Sequence, residues 1–186
     1  MKSTRWLTVM IVTSSAVLMS QGLWIKAKAE LAQWLLQEAW QQTLQDGGVH
    51  KPWAWADHWP VARLSVPAMQ SELIVLSADS GHALAFAPGH NSRSALPGQP
   101  GVVVISGHRD THFRFLQDLP VATEVIVETA HSRQRYRVVG SRVVNVNETR
   151  IDVATQSQQL MLVTCYPFDA LRSGGPLRYV VIADKV

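Results

Sequence analysis

Leu160-Met161-Leu162-Val163-Thr164-Cys165, followed by Tyr166-Pro167, is the stretch that decides how this chain is organised. Four apolar residues lead into a threonine and then into the only cysteine of the protein. A short apolar run that stops before a proline is typical of a buried strand that ends in a loop. Cys165 is therefore predicted to lie where a rigid strand meets a loop, a common place for a reactive group.

Two other strand borders carry side chains that can act together with a thiol. Arg178 opens the next strand-like run, residues 179–183, and Gly107-His108 follow the earlier apolar run 102–106. A thiol, an imidazole and a guanidinium at three strand borders are the groups that cysteine-based acyl transfer requires. The sequence therefore predicts a cysteine transpeptidase site, provided that the three borders meet in space.

Each residue type has a chemical reason to be present. A cysteine attacks as the thiolate, and a nearby imidazolium or guanidinium favours that form. His108 can protonate a leaving amine, and Arg178 can bind a developing oxyanion. Thr164 and Tyr166 flank Cys165, so they are the candidate substrate-binding residues.

Every one of these residues also has an ordinary structural explanation. A lone cysteine among apolar residues is often a small buried side chain. His108 and Arg178, taken singly, could be solvated or salt-bridged. The alternating His108, Asp110 and His112 could ligate a metal, but no second cluster completes such a site, so we predict neither a metal nor another cofactor.

Composition limits the classes of protein that this chain can belong to. Its 186 residues are 47% hydrophobic and 17% charged, which fits a globular domain with a membrane segment. The net charge of +3 with scattered arginines predicts no nucleic-acid partner. A single cysteine excludes an intrachain disulfide. All seven tryptophans lie in the first 59 residues, so the N-terminal region differs physically from the rest.

The N-terminus carries a run of twenty residues, 6–25, without a charge. Cationic residues precede and follow it, and about 20 residues at ~1.5 Å each suffice for one bilayer span. We therefore predict an uncleaved transmembrane anchor over residues 1–28. A cleaved signal peptide is the alternative, because Ala27-Lys28-Ala29 matches an A-x-A cleavage pattern.

Residues 29–60 are predicted to form an amphipathic helix and a tryptophan-rich connector. Apolar residues recur at spacings of three and four over 30–44, and Asp46-Gly47-Gly48 is a helix-stop signal. The predicted apolar face consists of Leu31, Trp34, Leu35 and Ala39 with the neighbouring Leu36 and Trp40. The helix could lie on a membrane or pack on the domain. The connector, 51–60, is expected to cover apolar surface of the domain.

Residues 61–186 have the size and pattern of a single all-β catalytic domain. Turn signals separate its short runs, so the pattern predicts an antiparallel barrel or sandwich with one short helix at 111–119. The predicted strands are 61–66, 72–76, 83–86, 102–106, 124–128, 135–146, 159–164 and 177–183.

The conjunction of these motifs resembles the sortase family, and specifically its Gram-negative, proteobacterial subgroup. The resemblance rests on Thr164-Cys165 after an apolar strand, Arg178 at the head of the next strand, and Gly107-His108-Arg109-Asp110-Thr111-His112-Phe113. It implies an eight-stranded β-barrel with Cys165 as nucleophile, His108 as acid/base and Arg178 as substrate and oxyanion ligand. A calcium site is not implied, because the chain lacks a suitable carboxylate cluster.

The resemblance also implies a reaction and its partners. A sortase cleaves a C-terminal sorting signal of a secreted protein at a Thr–Gly-like bond and transfers the product to an amine. The chain is then expected at the inner membrane, with its catalytic domain in the periplasm. Two alternatives stay open: an L,D-transpeptidase-like cysteine acyltransferase or hydrolase, and a non-catalytic envelope adaptor that binds peptides by β-addition.

Overall fold

In a computed structural model of the chain, which describes residues 2–148, 157–170 and 174–186, eight strands form a closed barrel. Their order around the barrel is β1-β2-β3-β4-β7-β8-β6-β5. The prediction of an eight-stranded all-β barrel is confirmed. The strands are β1 (Pro60–Val66), β2 (Ser71–Leu76), β3 (Gly89–His90), β4 (Val102–Ser106), β5 (Glu124–Glu128), β6 (Arg133–Asn145), β7 (Gln159–Cys165) and β8 (Leu177–Lys185).

The helical elements differ from the prediction in two places. The third strand was expected at 83–86, but residues 83–84 end a short helix, α2 (Gly81–Leu84), and residues 85–86 form a turn. Strand β3 follows them. Ala83 and Ala87 are buried against the N-terminal helix, so tertiary packing decides the conformation of this apolar run. The helix expected at 111–119 is a short 3₁₀ turn, Arg114–Asp118.

Strand β7 is the central strand of the part of the barrel that carries the predicted site. It pairs in parallel with β4 and antiparallel with β8. Strands β2 and β3 are also parallel, so the barrel is mixed, and the prediction of a purely antiparallel sheet was wrong. Leu160 and Leu162 belong to the core inside the barrel, whereas Met161 and Val163 belong to a second apolar cluster on the opposite face. Both faces of β7 are therefore covered, as the continuous apolar run predicts.

The N-terminal region is one continuous helix, α1 (Lys2–Asp46). The predicted anchor (1–28) and amphipathic helix (30–44) are therefore not separate elements. The helix ends at the predicted glycine pair. Gly47 has a φ of +70° and donates its backbone N–H to the Thr43 carbonyl at 2.9 Å, a common way to end a helix.

The C-terminal half of α1 packs on the barrel through a narrow stripe. Its buried residues recur every three or four positions, at Ala32, Leu36, Ala39, Trp40 and Thr43. Leu36 and Trp40 form a core cluster with side chains of β2 and α2. The predicted apolar face was wrong at Leu31 and Trp34, which are 55% and 61% exposed because the helix turns them away from the stripe.

The first half of α1 presents large apolar side chains to its surroundings, among them Trp6 and Trp24 at 72% and 65% exposure. Across the described residues, no helix combines the length and the apolarity needed to cross a bilayer. The structure therefore does not support the predicted transmembrane helix. The polar residues Ser14, Ser15 and Gln21 lower the apolarity of this segment.

The tryptophan-rich connector covers part of the domain, as expected. Trp53 makes an edge contact with Phe86 at 5.0 Å between ring centroids, and His58 stacks on Phe86 at 5.8 Å. Trp55, in contrast, is 85% exposed. The connector therefore packs on the segment after α2 through Phe86, whose carbonyl also accepts a hydrogen bond from Gln33 of α1 at 2.7 Å.

We predict that Trp40→Ala lowers the free energy of unfolding by about 3–5 kcal/mol, the usual cost of deleting a buried tryptophan side chain. Trp40 is fully buried between α1 and the barrel. Chemical denaturation followed by circular dichroism measures the change. Trp34→Ala, the same substitution at an exposed position of the same helix, is the matched control and should change it by less than about 0.5 kcal/mol. Equal effects of the two substitutions would contradict the packing of α1.

Candidate active site

The pairing of β7 with β8 brings Cys165 and Arg178 together. The two residues are direct partners in the antiparallel register. Side chains of directly opposite residues lie on one face, with Cβ atoms about 4.5–5.5 Å apart. Cys165 is a half-buried free thiol, and Arg178 is also half-buried. Strand register alone thus places Cys165 and Arg178 side by side.

His108 reaches the same edge of the sheet from β4. Ser106 pairs with Val163 in the parallel register, and the Gly107 N–H donates to the Val163 carbonyl at 3.0 Å. His108 follows Ser106 by two positions, as Cys165 follows Val163. Strands β4, β7 and β8 are neighbours in the barrel, so their ends bring the three predicted catalytic residues to one place.

Cys165 and Arg178 also share a face of the sheet. Side chains alternate along a strand, so Cys165 lies on the face of Met161 and Val163, and Arg178 lies on the face of Val180. Met161, Val163 and Val180 all belong to the cluster on the outer face of the barrel. The thiol therefore lies at the end of this row of apolar side chains. It is partly accessible there, and the strand that carries it is held rigidly by the core.

Thr164 lies on the opposite face, and the structure does not support its predicted contact with substrate. Its side chain is buried, and its Oγ1 donates a hydrogen bond to the Gly107 carbonyl at 2.7 Å. Because Thr164 precedes Cys165 in a strand, the two side chains point in opposite directions. The structure instead gives Thr164 a role in holding the start of the His108 loop to the end of β7.

The His108 loop is also held by Phe113. The Phe113 N–H donates to the His108 carbonyl at 2.9 Å, and its buried ring packs directly on Gly107. A Cβ on residue 107 would lie 2.8 Å from that ring, so only glycine fits there without displacing the loop. The backbone on both sides of His108 is therefore fixed, while its side chain is exposed.

The guanidinium of Arg178 is oriented by the loop that precedes β8. Its Nη1 donates to the carbonyls of Gly175 and Leu177 at 2.6 and 2.9 Å. Its Nε and Nη2 have no hydrogen-bond partner within the described part of the chain. One edge of the planar group is thus anchored, and the other is available to a ligand oxygen.

Arg109 is a residue of this region that the sequence did not reveal as part of the site. Its side chain is 5% exposed, its Nη1 donates to the Pro167 carbonyl at 2.5 Å, and its Nη2 donates to the Ala170 carbonyl. Its Nε donates to the Asp110 carboxylate at 3.2 Å. An arginine in a polar loop is expected to be exposed, so only the tertiary structure shows this burial.

Aromatic side chains form a wall around Tyr179, which pairs with Thr164 and therefore lies on the face of the sheet opposite to Cys165. Tyr166 stacks on Tyr179 with 6.3 Å between ring centroids, and Phe168 meets Tyr179 edge-on at 5.3 Å. A cleft of about 440 Å³ lies next to this wall. It is lined by Arg114, Gln117, Tyr166, Pro167, Phe168 and Asp169. The position of Tyr166 is consistent with its predicted contact with substrate, which stays a prediction.

His112 lies close enough to His108 for their charges to interact. Burial, and to a smaller degree the charge of His108, lowers the pKa of His112, while a hydrogen bond to the Phe86 carbonyl acts in the opposite direction. His112 is therefore neutral at neutral pH and adds no second positive charge to the site. Among the described residues, no group of three His, Cys, Asp or Glu side chains is placed to hold a metal ion.

We predict that Thr164→Val lowers the free energy of unfolding by about 1–3 kcal/mol, because it leaves the Gly107 carbonyl without its buried donor. Chemical denaturation measures the loss. Thr164→Ser keeps the hydroxyl and is the matched control, so it should retain more of the stability than the valine variant. A valine variant as stable as the wild type would show that the hydrogen bond does not hold the loop.

We predict that His112 makes the protein less stable as the pH falls below about 6.5, the usual pKa of histidine. The folded-state pKa is lowered, so between the two pKa values the unfolded chain binds more protons, and unfolding becomes easier. Denaturation curves at pH 5, 6 and 7 should show a smaller loss for His112→Gln than for the wild type. The exposed His82→Gln is the control, and an equal loss in all three proteins would contradict the assignment.

Comparison with known proteins identifies the family that this chain resembles. Residues 64–186 match the family described as the sortase domain. Sortase D of Bacillus subtilis (strain 168) is 29% identical over 124 residues, which cover 66% of this chain and 62% of that protein. The chain thus spans less than two thirds of the length of this curated relative.

Solved structures show the same architecture. Sortase A from Corynebacterium diphtheriae superposes with a TM-score of 0.63 and 25% identity, over 71% of this chain and 63% of that one. A Clostridium perfringens Sortase D5 transpeptidase gives a TM-score of 0.68 over 84% of this chain and 99% of that one. Its identity of 18% supports the shared fold alone. Since the family match covers more than half of the sequence, this chain belongs to the sortase family.

Proposed function

We propose that this protein is a cysteine transpeptidase that cleaves the C-terminal sorting signal of a secreted protein and joins the product to an amine. The observation that carries the proposal is the direct pairing of Cys165 with Arg178 across β7 and β8, with His108 arriving from β4 at the same edge. Membership of the sortase family supports it.

In the first half of the reaction, the Cys165 thiolate attacks the carbonyl carbon of a Thr–Gly-like bond. A C–S bond forms, and the carbonyl oxygen becomes an oxyanion. As the C–N bond breaks, His108 gives its proton to the departing amine, which cannot leave as an anion. The product is a thioester between Cys165 and the substrate, together with a free C-terminal fragment.

In the second half, an incoming amine attacks the thioester carbonyl. His108, now neutral, accepts a proton from that amine, the new C–N bond forms, and the Cys165 sulfur leaves as the thiolate. The same imidazole thus serves as acid and then as base. Its exposed position suits both roles, because both amines must approach it from solvent.

Arg178 is proposed to stabilise the oxyanion in both halves. Two of its carbonyl contacts hold one edge of the guanidinium, so the group is oriented before substrate arrives. Preorganised donors of this kind typically contribute roughly 10²- to 10³-fold to the rate. A lysine would offer a point charge without the planar fork.

The cleft beside Tyr166 is the proposed site for the sorting signal, which we expect to resemble Leu-Pro-x-Thr-Gly. Its lining residues 166–169 directly follow Cys165 in the chain, and they combine with the polar side chains of Arg114 and Gln117; Cys165, His108 and Arg178 themselves are not among the lining residues. The motif 107–113 supports assignment of the protein to the Gram-negative subgroup. Arg172 and Ser173 precede Gly174-Gly175 in the loop between β7 and β8, and both lie outside the described residues.

We also propose that the protein resides at the inner membrane with its catalytic domain in the periplasm. Support comes from the exposed apolar side chains of α1 between Trp6 and Ile25, which are bounded by Lys26 and Lys28 on the C-terminal side. Tryptophan favours the membrane interface, and Trp24 lies next to those lysines, with the Lys28 Nζ over its ring at 5.6 Å.

The decisive experiment is mass spectrometry of Cys165 after incubation with a panel of candidate signal peptides. We predict that the wild type gains the mass of the acyl fragment and that Cys165→Ala gains none, because no other thiol exists in the chain. Circular dichroism should show that the variant is folded, since the half-buried thiol adds little to the core.

Other results would change the assignment. An adduct on Cys165→Ala would remove the cysteine as nucleophile. Labelling by muropeptides instead of signal peptides would favour an L,D-transpeptidase-like reaction. Binding of a signal peptide without cleavage, and without reaction of Cys165 with a vinyl sulfone, would favour the peptide-binding adaptor.

A further inference from the structure

We propose that Arg109 is a positioning residue that fastens the substrate-recognition loop after β7 to the loop that carries His108. The roles of the two loops in catalysis and substrate recognition rest on the proposed function. The contacts of Arg109 with the loop after β7 do not depend on it. Arg109 follows His108 directly in the chain. Its two terminal nitrogens bind the carbonyls of Pro167 and Ala170, which follow Cys165 by two and five positions.

Burial shows that this contact is more than a surface interaction. Arg109 is 5% exposed, whereas the Asp110 carboxylate that it contacts is 68% exposed. A buried guanidinium is costly unless its N–H groups are satisfied, and here each terminal nitrogen donates to a backbone carbonyl. The Arg109 charge therefore lies beneath the loop and not in solvent. There the guanidinium holds the two carbonyls in place.

The segment between the two bound carbonyls forms one side of the proposed substrate cleft. The Ala170 N–H donates to the Pro167 carbonyl at 3.4 Å, so these residues close into a turn. Phe168 and Asp169 lie at its tip, and both line the cleft. An arginine that fixes both ends of this turn therefore fixes the cleft wall relative to His108.

The shape of the side chain matters for this role. Nη1 and Nη2 leave the guanidinium in fixed directions within one plane, and each reaches a different carbonyl. An ammonium group has no such fork, so a lysine at this position would satisfy one carbonyl and leave the other without its donor. Arg109→Lys thus removes the bridge while it retains the charge, and Arg142→Lys on the outside of β6 is the matched control.

Two measurements on the full chain test the proposal. Amide hydrogen exchange at Phe168, Asp169 and Ala170 should become at least about tenfold faster in Arg109→Lys and stay unchanged in Arg142→Lys, because local opening controls exchange. The kcat/KM for the best signal peptide should fall by about 10- to 100-fold, the effect of a small misplacement of the reacting groups. Alkylation of Cys165 by iodoacetamide should keep its wild-type rate, since Arg109→Lys retains the positive charge and the terminal nitrogens of Arg109 bind the Pro167 and Ala170 carbonyls.

The outcomes separate this proposal from the proposed function. Wild-type exchange rates at the turn in Arg109→Lys would overturn the positioning role, whatever the activity. Equal falls in alkylation rate and in kcat/KM would also overturn it, because the defect would then lie at the thiol or in the whole fold. A wild type that cleaves no signal peptide would refute the proposed function, while faster exchange in the variant would still establish that Arg109 holds the turn.

Discussion

The register of β7 between its two neighbours is the constraint on which the site depends. Strand β4 runs parallel to β7 and β8 runs antiparallel to it, so the end of β7 meets the end of one neighbour and the beginning of the other. A shift of one residue would move Cys165 to the face that points into the barrel. Leu160 and Leu162 prevent such a shift, because their side chains fill the core.

The same register explains which parts of the site were predictable. An apolar run that ends in a cysteine marks a strand end, and the motifs around His108 and Arg178 mark two others. The alternation of a strand also places Thr164 and Cys165 on opposite faces, a signal that was present in the sequence and argues against contact of both with substrate. The hydroxyl of Thr164 instead holds the Gly107 carbonyl.

What could not be predicted depends on contacts between distant segments. The run 83–86 has the apolar character of a strand, but Ala83 belongs to the same buried cluster as Trp40 of α1, and this packing favours a helix there. The burial of Arg109 likewise follows from carbonyls about sixty positions later in the chain. The local sequence does not identify the distant partners of Ala83 and Arg109. Around each of these residues, the sequence pattern is as compatible with an exposed side chain as with a buried one.

The three groups of the site are held in place by different means. Strand pairing fixes Cys165 and Arg178 relative to each other, and the packed core on both faces of β7 makes that pairing rigid. His108 lies beyond the end of β4, so no strand register holds it. Its position depends on the contacts of Gly107, Phe113 and Arg109 with their neighbours. His108 is therefore the residue of the candidate site whose position depends most directly on the loop after β7, because the buried Arg109 guanidinium joins that loop to the His108 loop.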